Sequence, residues 1–250
     1  MIFFNKLEAE ILTLEIIAHR GFSSIAPENT LAAFKAAIQH QADSVEFDLQ
    51  LSADGIPVIF HDETLDRITG KPGKIQQTTS QALKHLSAGN WFSDKFSLET
   101  IPTLTEALDT LKDIKKSLYF DVKPHCQWSD TDIELLIQDL IAKGVLEKSI
   151  LTSFDEQFLA KCRQVCPTIQ LGYFVTDVAE FSQQLEKAKA KGNAIISSWY
   201  KVLLEEPSWV KISQDQGVSL VTWTVDRPEY LQQLVKIGIK RIITNSLIGT

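Results

Sequence analysis

The chain has 250 residues, of which 44% are hydrophobic and 23% charged, the balance of an ordinary globular protein. Its 32 acidic against 25 basic side chains give a formal net charge of −7. That excludes the basic stripe of a nucleic-acid binder, though not an anionic small molecule held by a few local cations.

The N-terminal stretch MIFFNKLEAEILTLEIIAH is apolar, but Glu8, Glu10 and Glu15 interrupt it and no small-residue cleavage site follows, so a secretory leader is not expected. No segment approaches ~18 uninterrupted apolar residues, so no membrane span is expected. A first strand begins near Glu15 and ends abruptly on His19-Arg20-Gly21. A helix follows from about Asn29 to His40, with Leu31, Phe34 and Ile38 on one face and Glu28 and Asn29 at its start. SVEFDLQL then alternates: Val45, Phe47 and Leu49 point one way, Glu46 and Asp48 the other. SADG makes a turn into IPVIFHDE, and so short a loop permits only an antiparallel return. Pairing Leu51 with Ile56 sets Glu46 roughly opposite His61. Thr64 to Ile101 has weak periodicity and reads as an inserted excursion, residues 64–101, that carries Trp91 and Phe92.

From Thr103-x-x-Glu106, a capping box, strand and helix alternate regularly. Cys162 and Cys166 stand four apart on one of these helices, where they read as buried packing. With Cys126 they make an odd, scattered set, unlike a disulfide framework, and reduced thiols suit a cytoplasmic location. Leaving out the antiparallel return, eight strands start near Glu15, Ser44, Leu118, Ser149, Gln170, Asn193, Ser219 and Lys240. Eight such units close into a (β/α)8 TIM barrel, here one domain over residues 1–250 with the small insertion after the strand-two hairpin. The chain stops soon after the last strand, so an eighth helix is expected to be missing or vestigial, with FNKLEAEIL covering the gap. A doubly wound open sheet would need a glycine-rich phosphate loop after its first strand, and HRGFSSIAPEN is no GxGxxG.

Barrel active sites lie at the C-terminal ends of the strands. The topology gathers His19 and Arg20 from strand one, Glu46 and Asp48 from strand two, His61 from its return, and Asp121 and Lys123 from the next strand. Taken singly, each has a plainer reading: a structural histidine, a solvated Glu-x-Asp face, an Asp-x-Lys ion pair. Together they make a different case. Glu46 and Asp48, about 6.6–7 Å apart at their Cα atoms, must share a proton or bind a cation. With Asp121 they form an oxygen-rich set suited to a hard divalent ion such as Mg²⁺ or Ca²⁺. A cation flanked by Arg20 and Lys123 is a receptor for a phosphodiester, and two histidines can divide the proton transfers between attacking and leaving oxygens. His40, His85 and His125 read as surface residues.

The segments AHRG, PENTLAAF, EFDLQLSADGIPVIFHDETLDR, IPTLTEAL, FDVKP, TSFD, VTWTVD and IITN occur in that order from Ile16 to Asn245. Together they resemble the glycerophosphodiester phosphodiesterase family. The resemblance implies a TIM barrel that hydrolyses deacylated phospholipids, such as glycerophosphocholine or glycerophosphoethanolamine, to sn-glycerol 3-phosphate and an alcohol. It implies a divalent cation, Mg²⁺ or Ca²⁺ with Mn²⁺ a further candidate, and a small-molecule partner. It assigns His19 and His61 as the acid/base pair and Glu46, Asp48 and Asp121 as metal ligands. Arg20 and Lys123 would contact the phosphate, Trp223 would line the pocket, and Glu28 would support the metal. One departure stands out: the family usually has Glu-x-Lys where this chain has Asp121-x-Lys123, roughly 1.5 Å shorter in reach, which bears on metal preference. The last strand ends in Thr244-Asn245 where relatives often show Thr-Asp, a difference to which the resemblance attaches no role in the mechanism.

Phe22, Trp91, Phe92 and Phe154 are candidates for an apolar rim. An extensive rim would favour a lysophospholipase D-like activity on acylated substrates. A two-carboxylate glycosidase would leave Arg20, Lys123 and the histidines idle. A non-catalytic barrel that binds a phosphorylated ligand would have no use for both histidines. Nothing in the sequence assigns an oligomeric state.

Overall fold

A computed structural model describes residues 13–246, so the helix expected in FNKLEAEIL lies outside the described residues. The strands are β1 (Glu15–His19), β2 (Ser44–Leu51), β3 (Pro57–Ile59), β4 (Leu118–Val122), β5 (Ser149–Ser153), β6 (Gln170–Val175), β7 (Ala194–Trp199), β8 (Ser219–Trp223) and β9 (Arg241–Thr244). Their order in the sheet is β1-β9-β8-β7-β6-β5-β4-β2-β3, and a further β1–β2 pairing closes it. All but β3 run parallel, so the closed part is an eight-stranded (β/α)8 barrel.

The helices are α1 (Leu31–Gln39), α2 (Asp66–Thr69), α3 (Ser80–Leu83), α4 (Leu104–Thr110), α5 (Asp130–Ala142), α6 (Glu156–Val165), α7 (Val178–Lys191), α8 (Tyr200–Glu205), α9 (Ser208–Asp215) and α10 (Pro228–Lys236). Thr103 and Glu106 cap α4 reciprocally, and Ser129 and Asp132 do the same for α5. Cys162 is buried within α6 and Cys166 caps its end. The first helix starts two residues later than its sequence pattern suggests. Thr30 is the N-cap, accepting from the Ala33 amide, so Glu28 and Asn29 precede the helix and their side chains are available elsewhere.

Strand alternation separates two apolar bodies. Val45, Phe47, Leu49 and Phe120 face outward and pack with Phe34, Leu104, Leu136 and Phe181 between barrel and helices. Each such side chain contributes roughly 1.5–3 kcal/mol by burial. Inside the barrel, Ile17, Tyr119, Ile150, Ile195, Val221 and Ile243 form one solid layer. Beneath it Glu15 accepts from Ser44 Oγ at 2.5 Å and Tyr119 Oη at 3.2 Å, and pairs with Arg241 at 3.2 Å. Between β3 and β4 the excursion packs on its own cluster, including Phe60, Leu65, Ile75, Leu83 and Ile101.

The hairpin register differs by one residue from the sequence reading. Leu51 faces Pro57, not Ile56. Ser52 continues the ladder by donating its amide to the Ile56 carbonyl at 3.0 Å, so only Ala53, Asp54 and Gly55 form the loop, with Gly55 at φ 74°. Such three-residue loops close on a left-handed glycine. The ladder ends at Ile59, so His61 reaches the barrel mouth from a loop and is not ladder-paired with Glu46.

Candidate active site

Two residues past the end of β1, Gly21 has φ 78°, and a Cβ there would lie 2.6 Å from the Ala33 carbonyl carbon, so only glycine fits. Arg20 itself has φ 55°, a conformation that costs a side-chain-bearing residue of order 1–3 kcal/mol and concentrates at functional sites. This sharp reversal turns the Arg20 amide toward Glu46 Oε2, at 2.9 Å, and its guanidinium across the mouth. The abrupt ending on His-Arg-Gly is the geometry that aims both charged side chains inward.

Glu46 and Asp48 rise from β2 and Asp121 from the neighbouring β4, where Asp48 and Asp121 are in register. One oxygen from each of the three lies within 4.8 Å of the other two. Asp48 is 1% exposed and carries the most partners. Lys123 Nζ lies 2.6 Å from its Oδ1, while Asn29 Nδ2 at 2.6 Å and Arg20 Nε at 3.2 Å meet its Oδ2. Burial opposes ionisation there, but Lys123, Arg20 and His61 outweigh it and hold Asp48 well below the usual carboxylate range. Glu46 goes the other way, raised well above its ordinary value by burial and then by the charges of Asp48 and Asp121. Burial also raises Asp121; Lys123, at 2.7 Å, opposes this and Asp48 adds to it. Crowded carboxylates split in this way unless a cation joins them.

His19 Nδ1 lies 2.6 Å from Asn245 Oδ1, and its Nε2 lies 3.9 Å from Glu46. Burial, then the neighbouring Arg20, lower His19 to about 4. His61 Nδ1 donates to Asp62 Oδ1 at 2.6 Å, and Arg67 grips the same carboxylate through Nε at 2.6 Å. Arg67 also reaches Glu28 at 2.8 Å, and Glu28 accepts from Arg20 Nη1 at 2.7 Å. A continuous chain of polar contacts thus runs from one histidine's support to the arginine beside the other.

His19, Arg20, Glu46, His61, Asp121, Lys123 and Trp223 all line one cavity of about 230 Å³, with Asp48 bonded behind them to Arg20 and Lys123. Glu28 stands apart from the three clustered carboxylates, held by the two arginines. Of the four aromatic rim candidates only Phe154 lines the cavity; Phe22 packs against Ala26 and Ala33, while Trp91 packs on Phe92 and Phe92 on Phe96. Phe174 also lines the wall, stacked on Phe154 at 4.4 Å and edge-on to Trp223 at 5.8 Å. Strand parity marks it, because Phe174 stands two residues past the buried Gly172 on β6. Asn29, Asp62, Arg67, Asp226 and Asn245 carry no sequence signal of their own beyond lying inside or beside the motifs. His40, His85 and His125 are exposed.

The donor set fits a divalent cation. All three candidate donors are carboxylates, which suits a hard ion, and Asp121 Oδ1 is buried without a hydrogen-bond partner. Burial and the neighbouring carboxylates disfavour the charged form of Glu46, and a bound cation would favour it. Trp223 Nε1, also buried and unpartnered, leaves a donor free at the cavity wall.

The model of the glycerophosphoryl diester phosphodiesterase family matches residues 19–248. The chain is 33% identical over 232 residues to a glycerophosphodiester phosphodiesterase of Caldanaerobacter subterraneus subsp. tengcongensis, spanning 92% of this chain and 93% of that protein. Its fold matches an Oleispira antarctica phosphodiesterase, solved in complex with the product sn-glycerol-3-phosphate, with a TM-score of 0.86 and 30% identity over 95% of this chain and 96% of that one. A glycerophosphodiester phosphodiesterase from Agrobacterium tumefaciens matches with a TM-score of 0.80 and 25% identity over 94% of this chain and 98% of that one.

Proposed function

We propose that this chain, which belongs to the glycerophosphoryl diester phosphodiesterase family, hydrolyses glycerophosphodiesters such as glycerophosphocholine and glycerophosphoethanolamine to sn-glycerol 3-phosphate and the free alcohol. The observation that carries this reading is the single cavity shared by two imidazoles, two fixed cations and a carboxylate cluster. Arg20 and Lys123 bind the phosphate, and Glu28 and Arg67 hold Arg20 at its angle. His19, neutral above about pH 4, accepts the proton of the attacking oxygen at Nε2. As the oxygen–phosphorus bond forms and the bond to the alcohol breaks, His61 gives a proton to the departing alkoxide. Asp62 orients the His61 ring and stabilises positive charge on it. Trp223 Nε1 donates to the bound substrate. Glu46, Asp48 and Asp121 would hold Mg²⁺, Ca²⁺ or Mn²⁺, which supplies positive charge for the phosphoryl oxygens.

The exposed Phe154 stacked on Phe174 favours a second reading, activity on a substrate that keeps one acyl chain. Turnover of glycerophosphocholine and of lysophosphatidylcholine, followed by release of sn-glycerol 3-phosphate or its acylated counterpart, distinguishes the two. EDTA should abolish turnover, and Mg²⁺, Mn²⁺ or Ca²⁺ should restore it. Tight binding of sn-glycerol 3-phosphate with no turnover of any diester would overturn the enzymatic reading in favour of a binding barrel.

A further inference from the structure

Parallel pairing of β1 with β9 sets Ala18 beside Thr244, so the residues that follow, His19 at the end of β1 and Asn245 just past the end of β9, meet at the mouth. The Asn245 amide has one orientation. Its Nδ2 donates to Asp226 Oδ2 at 2.7 Å, while its Oδ1 accepts from Ser23 Oγ at 2.9 Å. A flip would turn an amide oxygen onto a carboxylate and an NH₂ onto His19. Asp226 Oδ1 accepts in turn from the Asn245 backbone N–H at 2.8 Å and from Thr244 Oγ1 at 3.1 Å. The Asn245 backbone carbonyl accepts from the Ser24 backbone N–H at 3.1 Å, tying the loop after β1 to the end of β9. With oxygen facing the ring at 2.6 Å, His19 Nδ1 must carry the proton, and Nε2 is left with the lone pair on the cavity side.

We infer that Asn245, clamped by Asp226, is a positioning residue that fixes His19 as the Nδ1–H tautomer and so presents Nε2 as the proton acceptor. The inference rests on the phosphodiesterase reading for its kinetic consequence, but the tautomer itself is a property of the protein alone. The two histidines are then held by the same device with different charge: a carboxylate behind His61 and a neutral amide behind His19. Without Asn245 the ring can rotate or take the Nε2–H form, in which the nitrogen facing the substrate is already protonated.

The test combines kinetics with ¹⁵N spectroscopy of the histidine rings in the metal-free protein at a pH where His19 is neutral. Asn245→Leu should lower kcat by about 10²-fold, the scale of a lost or misaligned proton acceptor, with KM changed less than about threefold. The His19 spectrum should move from the Nδ1–H pattern toward Nε2–H. The exchange variant Asn245→Asp with Asp226→Asn keeps an acceptor toward His19 and a donor behind it, and should restore the Nδ1–H spectrum and most of kcat. A wild-type spectrum showing His19 as Nε2–H overturns the inference, as does wild-type kcat in Asn245→Leu. Should Asn245→Leu fail to fold, the wild-type spectrum and the exchange variant still decide it. If wild-type protein turns over no diester, the phosphodiesterase reading fails while the spectra still judge the tautomer.

Discussion

At the scale of single residues, the site separates the groups proposed to act from the groups that hold them. His19→Ala and His61→Ala should each lower kcat by about 10²–10⁴-fold while leaving the melting temperature close to wild type; turnover at the wild-type rate in both would remove the acid/base assignment. Asp121→Glu lengthens the reach to the cation and should change which of Mg²⁺, Mn²⁺ and Ca²⁺ gives the highest kcat/KM. An unchanged order of metals would mean that this position does not set preference. His19 also predicts a pH effect on stability. Its fold value is lowered from 6.5 to about 4, so below pH 6.5 the unfolded chain takes up a proton that the fold refuses. Stability of the metal-free protein should therefore fall as pH drops from about 6.5 toward 4, by roughly 1.4 kcal/mol per unit of difference between the two states. His19→Gln should flatten that slope in urea titrations; an equal slope would place its source elsewhere.

Most of the residues that line the cavity were legible in the sequence because β1, β2 and β4 deliver them, and strand parity with the HRG and E-x-D spacings places them together; His61 arrives on the loop after β3. The holders were not. Asn245 meets His19 across 226 residues of sequence, and Arg67 meets Glu28 across 39. Only the closure of the barrel and the path of the excursion bring such partners within hydrogen-bond distance, and no local pattern encodes that.

At the scale of elements, buried parallel strands between helices produce apolar runs with sharp ends. Six strands begin at the residue read from the sequence, and the other two begin one residue later, at Ala194 and Arg241. The hairpin register was less legible because a loop of Ser-Ala-Asp-Gly can close on either three or four residues. Here Ser52 Oγ donates to Asp54 Oδ1 at 2.6 Å and accepts from the Ile56 amide at 3.1 Å, which selects three. The turn after β1 gives an element-scale prediction. Gly21→Ala places a methyl against the Ala33 backbone, at 2.6 Å from its carbonyl carbon. It should cost of order 1–3 kcal/mol and reduce kcat as well, since Arg20 and His19 lose their aim. A melting temperature within a degree of wild type would show that the turn relaxes freely.

At the scale of the whole molecule, the three carboxylates belong to two adjacent strands of one closed sheet, so a cation joining them acts on the stability of the entire barrel. Saturating divalent cation at 100 times its Kd should stabilise the fold by about 2.7 kcal/mol, seen as a rise in melting temperature. Glu46→Gln should abolish that rise, and persistence of the full rise would mean that the ion sits elsewhere. The barrel itself followed from counting strands, whereas the excursion between β3 and β4 has too little periodicity for its own apolar cluster to be foreseen.

The apolar layer formed by Ile17, Tyr119, Ile150, Ile195, Val221 and Ile243 has one more consequence. With Tyr119 spanning from the cavity to Glu15 below, the barrel axis is plugged, and the cavity is a blind well. Passage through the far end of the barrel is closed. Whichever hydrolysis fragment departs last keeps the next molecule waiting outside, so that fragment should act as a competitive inhibitor whose strength reports the order of departure.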